Sequence, residues 1–123
     1  IVSGFKAMAM ILAYLMVFTI GINILEHLGV FSVINNQGVA ASFKGIFEMT
    51  IGINLVGMCD MGIRLKSVIA AFLVSFGGLS VAGQSMSMAR GSGIGLADIL
   101  KIKLTHGMIA AIITTILIHI VVI

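Results

Sequence analysis

Charge is what this sequence has least of. Asp, Glu, Lys and Arg make up only 9% of its 123 residues, while 60% are hydrophobic. A soluble domain carries about a quarter charged residues, so too little charge is present to cover a water-facing surface. Cysteine is almost missing as well. Cys59 stands alone, which excludes a disulfide framework and a cysteine metal cluster. Catalytic patterns are absent: no HExxH or HxxxH spacing, no GxGxxG, and no nucleophile at workable spacing from a base. The chain is therefore not expected to be an enzyme, and no cofactor or metal site is expected. The net charge of +3 is no nucleic-acid signal, because the basic residues flank apolar segments, where positive charge sets membrane topology.

Long uncharged runs fill the space that charge leaves. Residues 7–25 (AMAMILAYLMVFTIGINIL) and 67–89 carry none, and residues 104–123 hold only His106 and His119 as ionisable groups. Each run is about 20 residues, enough to cross a hydrocarbon core. The fold class expected is all-α integral membrane, multi-pass, in the cell membrane, with the lipid bilayer as its solvent. Lys6 precedes 7–25, but no small-residue cleavage site follows, so that run reads as a retained helix and not a signal peptide. The chain opens at Ile1 and closes inside LIHIVVI, and reads as the ordered part of something longer. Three or four crossings are few for a transporter working alone. A second transmembrane half or a homo-oligomer is expected.

Polar and flexible residues divide the chain further. Residues 28–42 read as an interfacial helix plus a turn around Asn35, Asn36, Gln37 and Gly38. Residues 45–59 read as a short broken crossing, unwound near Gly52. In 67–89, Gly77 and Gly78 sit near the centre, where helix propensity is poor and the backbone is free to turn. Two models compete there: one kinked span, or a re-entrant hairpin whose arms are each about 15 Å long, half the core thickness. Sidedness favours the hairpin. With it, Lys6, Arg64, Lys66, Arg90, Lys101 and Lys103 share one side, expected to be cytoplasmic, and only Lys44 lies opposite. Residues 91–103 read as an amphipathic linker with Asp98, Lys101 and Lys103 at the headgroups, and 104–123 as the last helix.

Two constellations carry the functional expectation. Glu48, Thr50 and Asn54 lie inside an apolar segment. An ionisable group at membrane depth is costly and faces a cavity or a partner. Its alternative is an interfacial carboxylate paired with Lys44. The second set is Ser75, Gly77, Gly78, Ser80 and Gln84. A helix starting after Gly78 would aim free N–H groups into the bundle, which attracts anionic groups, and Ser80 and Gln84 would add donors and acceptors. The alternative is that small residues there only permit close helix packing. The expected substrate-binding set is thus Glu48, Thr50, Asn54, Ser75, Gly77, Gly78, Ser80 and Gln84. His106 and His119 are too far apart on one helix to act as a pair, and Asn23 is balanced between a polar interior and a cross-helix bond.

The run GIFEMTIGINL at 45–55, followed by AAFLVSFGGLSVAGQ at 70–84, resembles the Gate, or nucleoside-recognition, domain, and within it the YlbJ-type sporulation integral membrane proteins. The residues that carry the resemblance are Gly45, Glu48, Thr50 and Gly52, then Phe76, Gly77, Gly78, Ser80, Val81 and Gln84. Many relatives place histidine just after the valine, where this chain has Ala82, a departure that bears on selectivity. The resemblance implies one half of an inverted-repeat transporter in a spore-forming bacterium. The resemblance further implies movement of a small polar or anionic solute, a dicarboxylate such as dipicolinate or a nucleoside-like molecule, coupled to a cation. The competing expectations are a non-transporting scaffold or assembly protein in sporulation, and a divalent-metal channel. Loss of flux in a Glu48→Gln protein that still inserts separates transport from scaffolding.

Overall fold

The computed structural model describes residues 1–121. It is all helical, in the order α1 (Val2–His27), a 3-10 turn (Val30–Val33), α2 (Gln37–Phe47), α3 (Met49–Met58), α4 (Ile63–Phe76), α5 (Gly78–Met88) and α6 (Leu96–Val121). Three stretches are long and apolar enough to cross a bilayer: Val2–His27, Ile63–Met88 and Leu96–Val121, each of 26 residues, with hydropathies of 2.2, 1.8 and 2.0. At 1.5 Å per residue the unbroken α1 and α6 each span about 39 Å, more than the roughly 30 Å of hydrocarbon. Met8, Leu12, Met16 and Ile20 on α1, and Ile109, Ile112, Ile116 and Ile120 on α6, are exposed. Such faces suit lipid, not water. The chain is a multi-pass integral membrane protein.

The short helices α2 and α3 fold back on each other. Asn36 starts α2, its side-chain oxygen accepting from Gly38 N–H at 2.9 Å and Val39 N–H at 3.2 Å, the usual work of an N-cap. Glu48 ends α2 with an extended backbone (φ −143°, ψ 114°) and caps α3. The arms then pack antiparallel. Gly45 lies against Gly52, and Ala41, Val56 and Cys59 are buried together with Leu73 of α4. Arms of 11 and 10 residues reach about 15 Å, the length of a half-crossing.

The helical fold-back therefore lies at 37–58, not at 67–89. Neither the interfacial segment 28–42 nor the broken crossing 45–59 exists as one piece. Residues 45–47 finish α2, and the break falls at Glu48. Gly52 sits inside α3 as a packing surface. The physical reason is that Glu48 itself supplies the cap for the second arm, while paired glycines let the arms close.

The expected hairpin at 67–89 is instead a broken helix. Gly77 and Gly78 both have left-handed backbones (φ 79° and 75°), which glycine alone adopts without strain. Gly77 N–H donates to Leu73 C=O at 2.8 Å and closes α4. Beyond the break, α4 and α5 scarcely touch each other. α4 packs along α6, with Gly107 against the Phe72 ring, while α5 leans on α1. There the Tyr14 and Ser87 hydroxyls bond at 2.6 Å, with Gly83 under the tyrosine ring. The six-against-one sidedness goes with the hairpin. Lys6, Arg90, Lys101 and Lys103 lie toward one end of the bundle, and Lys44, Arg64 and Lys66 toward the other.

The linker 91–103 is shorter than expected. α6 already begins at Leu96, where the Asp98 carboxylate accepts from Gly95 N–H at 3.2 Å. Asp98, Lys101 and Lys103 thus belong to the last helix. The end of the expected 104–123 helix, residues 122 and 123, lies outside the described residues.

Candidate functional site

Glu48 is the only acidic residue among the described residues with its side chain out of reach of solvent; it is 1% exposed. Burying a carboxylate costs several kcal/mol unless it is hydrogen-bonded. Two groups of its own turn answer that cost. Ile51 N–H donates to Oε2 at 2.9 Å, and the Thr50 hydroxyl donates to the same oxygen. The carboxylate also sits on the N-terminal end of α3, where the helix dipole favours negative charge. Lys44 is not its partner. The Lys44 ammonium pairs with Glu26 at 2.9 Å and lies over the Phe31 ring. The interfacial ion pair considered for Glu48 is therefore absent.

The hairpin tip abuts the break in the long helix. A Cβ on Gly78 would lie 3.2 Å from Gly45 O, Phe47 O and Met49 N. So the turn that carries Glu48 and the turn between α4 and α5 meet backbone to backbone. Beyond it, Ser80 is fully buried, and Gln84 Nε2 donates to Ser80 Oγ at 3.4 Å. Gly77 brings no capping side chain to α5, and no carbonyl of α2 or α3 accepts from its leading N–H groups. Two helix interruptions, a buried carboxylate and an uncapped helix start thus share one junction.

The expected set is gathered in part. Glu48 and Thr50 are bonded, Gly77 and Gly78 form the facing break, and Ser80 and Gln84 stand one turn into α5. Asn54 does not join them: it is exposed on α3, and Thr50 is exposed as well. Ser75 lines a different surface, a groove of about 370 Å³ shared with His106, Ile109, Ala110 and Ile113. Asn23 is exposed on α1. His119 Nδ1 lies 2.8 Å from Thr115 O of its own helix.

One residue was missed. Lys103 of α6, assigned to the headgroups from sequence, is half-buried and brings its Nζ to 3.4 Å from where a Cβ on Gly77 would sit. Lys103 lies one turn before Gly107, the residue on which α6 packs against Phe72 of α4. That pairing is tertiary and cannot be read along one helix.

The class that this fold defines is a multi-pass, all-α membrane protein with two interrupted helical elements meeting at a buried carboxylate. Compared with protein families, curated proteins and solved structures, the chain matches none.

Proposed function

We propose that the chain is one half of a secondary transporter of the Gate type, moving a small polar or anionic solute driven by a cation gradient. The observation that carries the proposal is the contact between the Glu48 turn and the Gly77–Gly78 break. Interrupted helices at membrane depth are tolerated where backbone polar groups line a protein-enclosed site. Here one interruption offers a carboxylate and the other offers N–H groups. The carboxylate suits the coupling cation or a proton. The α5 start, with Ser80 and Gln84, suits acceptor groups of the solute.

Asn54 on the exposed face of α3 supports a second body. A polar side chain at that depth calls for a partner or a water-filled cavity, which a second transmembrane half or a second copy would provide. A dicarboxylate or a nucleoside-like molecule both fit this chemistry, as the Gate resemblance implies for spore-forming bacteria.

The test is solute uptake into proteoliposomes, wild type against Glu48→Gln, over dicarboxylates, nucleosides and Fe²⁺. Uptake of one solute class by wild type and its loss in E48Q is the expected result. Uptake by neither protein leaves the scaffold role in its place.

A further inference from the structure

The two ends of the bundle hold their basic residues differently. Toward one end lie the start of α1, the end of α5 and the start of α6, with Lys6, Arg90, Lys101 and Lys103 and one acidic residue, Asp98. Toward the other lie Lys44, Arg64 and Lys66, with Glu26 and Asp60 among them. This second group is engaged inside the chain. Lys44 pairs with Glu26 at 2.9 Å, the Lys66 ammonium donates to Gly57 C=O at 2.7 Å, and Arg64 is held as well. The first group is left open. Among the described residues, no hydrogen bond, ion pair or ring contact engages the side chain of Lys6, Arg90 or Lys101, and all three are exposed. Asp98 answers none of them, because its carboxylate accepts from Gly95 N–H at the start of its own helix. Lys103 stands apart from the three, half-buried with its ammonium turned toward Gly77.

The surroundings of the three indicate the partner. Each adjoins exposed apolar side chains: Lys6 follows Phe5, Arg90 comes two residues after Met88, and Lys101 precedes Ile102. Lys6 is four residues from the start of α1, and Lys101 is five from the start of α6, about 6–8 Å along the axis. A long basic side chain covers that distance, with its stem among apolar groups and its charge in the headgroup layer. The connection that carries Arg90, residues 89–95, is short. It extends no arm with which a soluble acidic protein could be gripped, whereas phosphates surround every helix end in a bilayer. Uncompensated cations at that level draw anionic headgroups, each strengthening the attraction about fivefold. At the opposite end the same residue types direct their donors into the protein, and acidic residues stand among them.

We infer that the end of the bundle carrying Lys6, Arg90 and Lys101 is an anionic-phospholipid surface, each of the three meeting a headgroup phosphate, and that the opposite end is not. The inference is independent of the transport reading. It stands on the multi-pass placement of the helices and on which cations the chain leaves unengaged, and it holds for a transporter and a scaffold alike. It also separates two lysines of α6: Lys101 serves the lipid surface, while Lys103, two residues on, faces the break.

The experiment is native mass spectrometry of the full chain released from detergent, with dioctanoylphosphatidylglycerol and dioctanoylphosphatidylcholine titrated separately. Wild type is compared with Lys6→Gln, Arg90→Gln, Lys101→Gln, the triple glutamine variant, a charge-keeping variant (Lys6→Arg, Arg90→Lys, Lys101→Arg) and the opposite-end control Lys66→Gln. Wild type is expected to bind phosphatidylglycerol at least about tenfold more tightly than phosphatidylcholine, as two or more cations acting together would give. Each single glutamine variant should weaken phosphatidylglycerol binding about fivefold. The triple variant should lose the preference, and the charge-keeping variant and K66Q should match wild type. Circular dichroism identifies the folded variants, and the single variants decide the matter if the triple variant does not fold. Equal binding of both lipids by wild type overturns the inference. So does a preference that survives in the triple variant or in all three single variants, or one that K66Q lowers as much as K101Q does. Hexaglutamate is titrated in parallel. Binding of that peptide without a lipid preference also overturns the inference and assigns the surface to an acidic protein.

Discussion

Gly45 and Gly52 touch backbone to backbone at the crossing of the two hairpin arms. A Cβ on Gly52 would overlap the Gly45 Cα and lie 2.6 Å from its backbone nitrogen, and a Cβ on Gly45 would lie 2.7 Å from a methyl of Leu73. The hairpin can close only because both positions lack a side chain. That closure brings Glu48 to the tip and presses the tip against Gly78.

Gly52→Ala is therefore expected to be among the most damaging single-methyl changes in the chain. The obstacle is backbone, which cannot rotate away, so the cost should reach or exceed about 3 kcal/mol, the upper end for overpacking. Gly57→Ala, on the open face of the same helix with nothing within 4 Å, is the control. Thermal melts in detergent decide the matter; equal melting temperatures for the two variants would remove the crossing.

Glu48 has a structural effect separable from transport. Glu48→Ala removes the acceptor of Ile51 N–H and of the Thr50 hydroxyl, and should cost about 1–3 kcal/mol. Glu48→Gln keeps an acceptor oxygen and should cost less. The order wild type, Gln, Ala in denaturation midpoint is the expected result. An alanine variant as stable as wild type would show that the cap contributes nothing.

Gly78→Ala meets two penalties. The left-handed backbone costs an L-residue about 1–2 kcal/mol, and the new methyl would press on Gly45 O, Phe47 O and Met49 N at 3.2 Å. At Gly77 the nearest obstacle is the Val81 side chain at 3.1 Å, and asparagine tolerates the left-handed region. Gly77→Asn should thus melt above Gly78→Ala. The reverse order would place the tip away from Gly78.

Topology offers an independent check. With a fold-back at 37–58 and a continuous path through Ile63–Met88, residues 66 and 90 lie at opposite ends of the bundle. In a Cys59→Ala background, Lys66→Cys and Arg90→Cys should react with a membrane-impermeant maleimide from opposite faces. Labelling of both from one face would restore the hairpin at 67–89.

Membrane residence was legible without any structure. Scarce charge and long apolar runs are local quantities, and α1 and the greater part of α6 follow from them, although α6 starts at Leu96, eight residues before the uncharged run. The two functional constellations were legible too, since a glutamate in an apolar run and a Gly-Gly in the middle of another are anomalies against their own neighbours. Asn36 as a helix start could also have been found, being a polar cap residue ahead of an amphipathic stretch.

What sequence alone assigned wrongly was which interruption turns the chain back. Gly77-Gly78 has the freer backbone, and a positive-inside count over seven basic residues favoured a return there. Backbone freedom only permits a turn; packing chooses its direction. Gly45 and Gly52 give α2 and α3 a surface on which to close, whereas α4 and α5 find better surfaces in α6 and α1.

By itself, then, the sequence determined the solvent of this protein, its helical class, and the two places where its helices are interrupted, because each depends on composition or on a residue's nearest neighbours. Only the tertiary structure decided that Glu48 is the tip of the fold-back, that this tip rests on Gly78, and that Lys103 reaches the break from α6. Those relations join residues distant along the chain, through glycine contacts whose partners no single segment reveals.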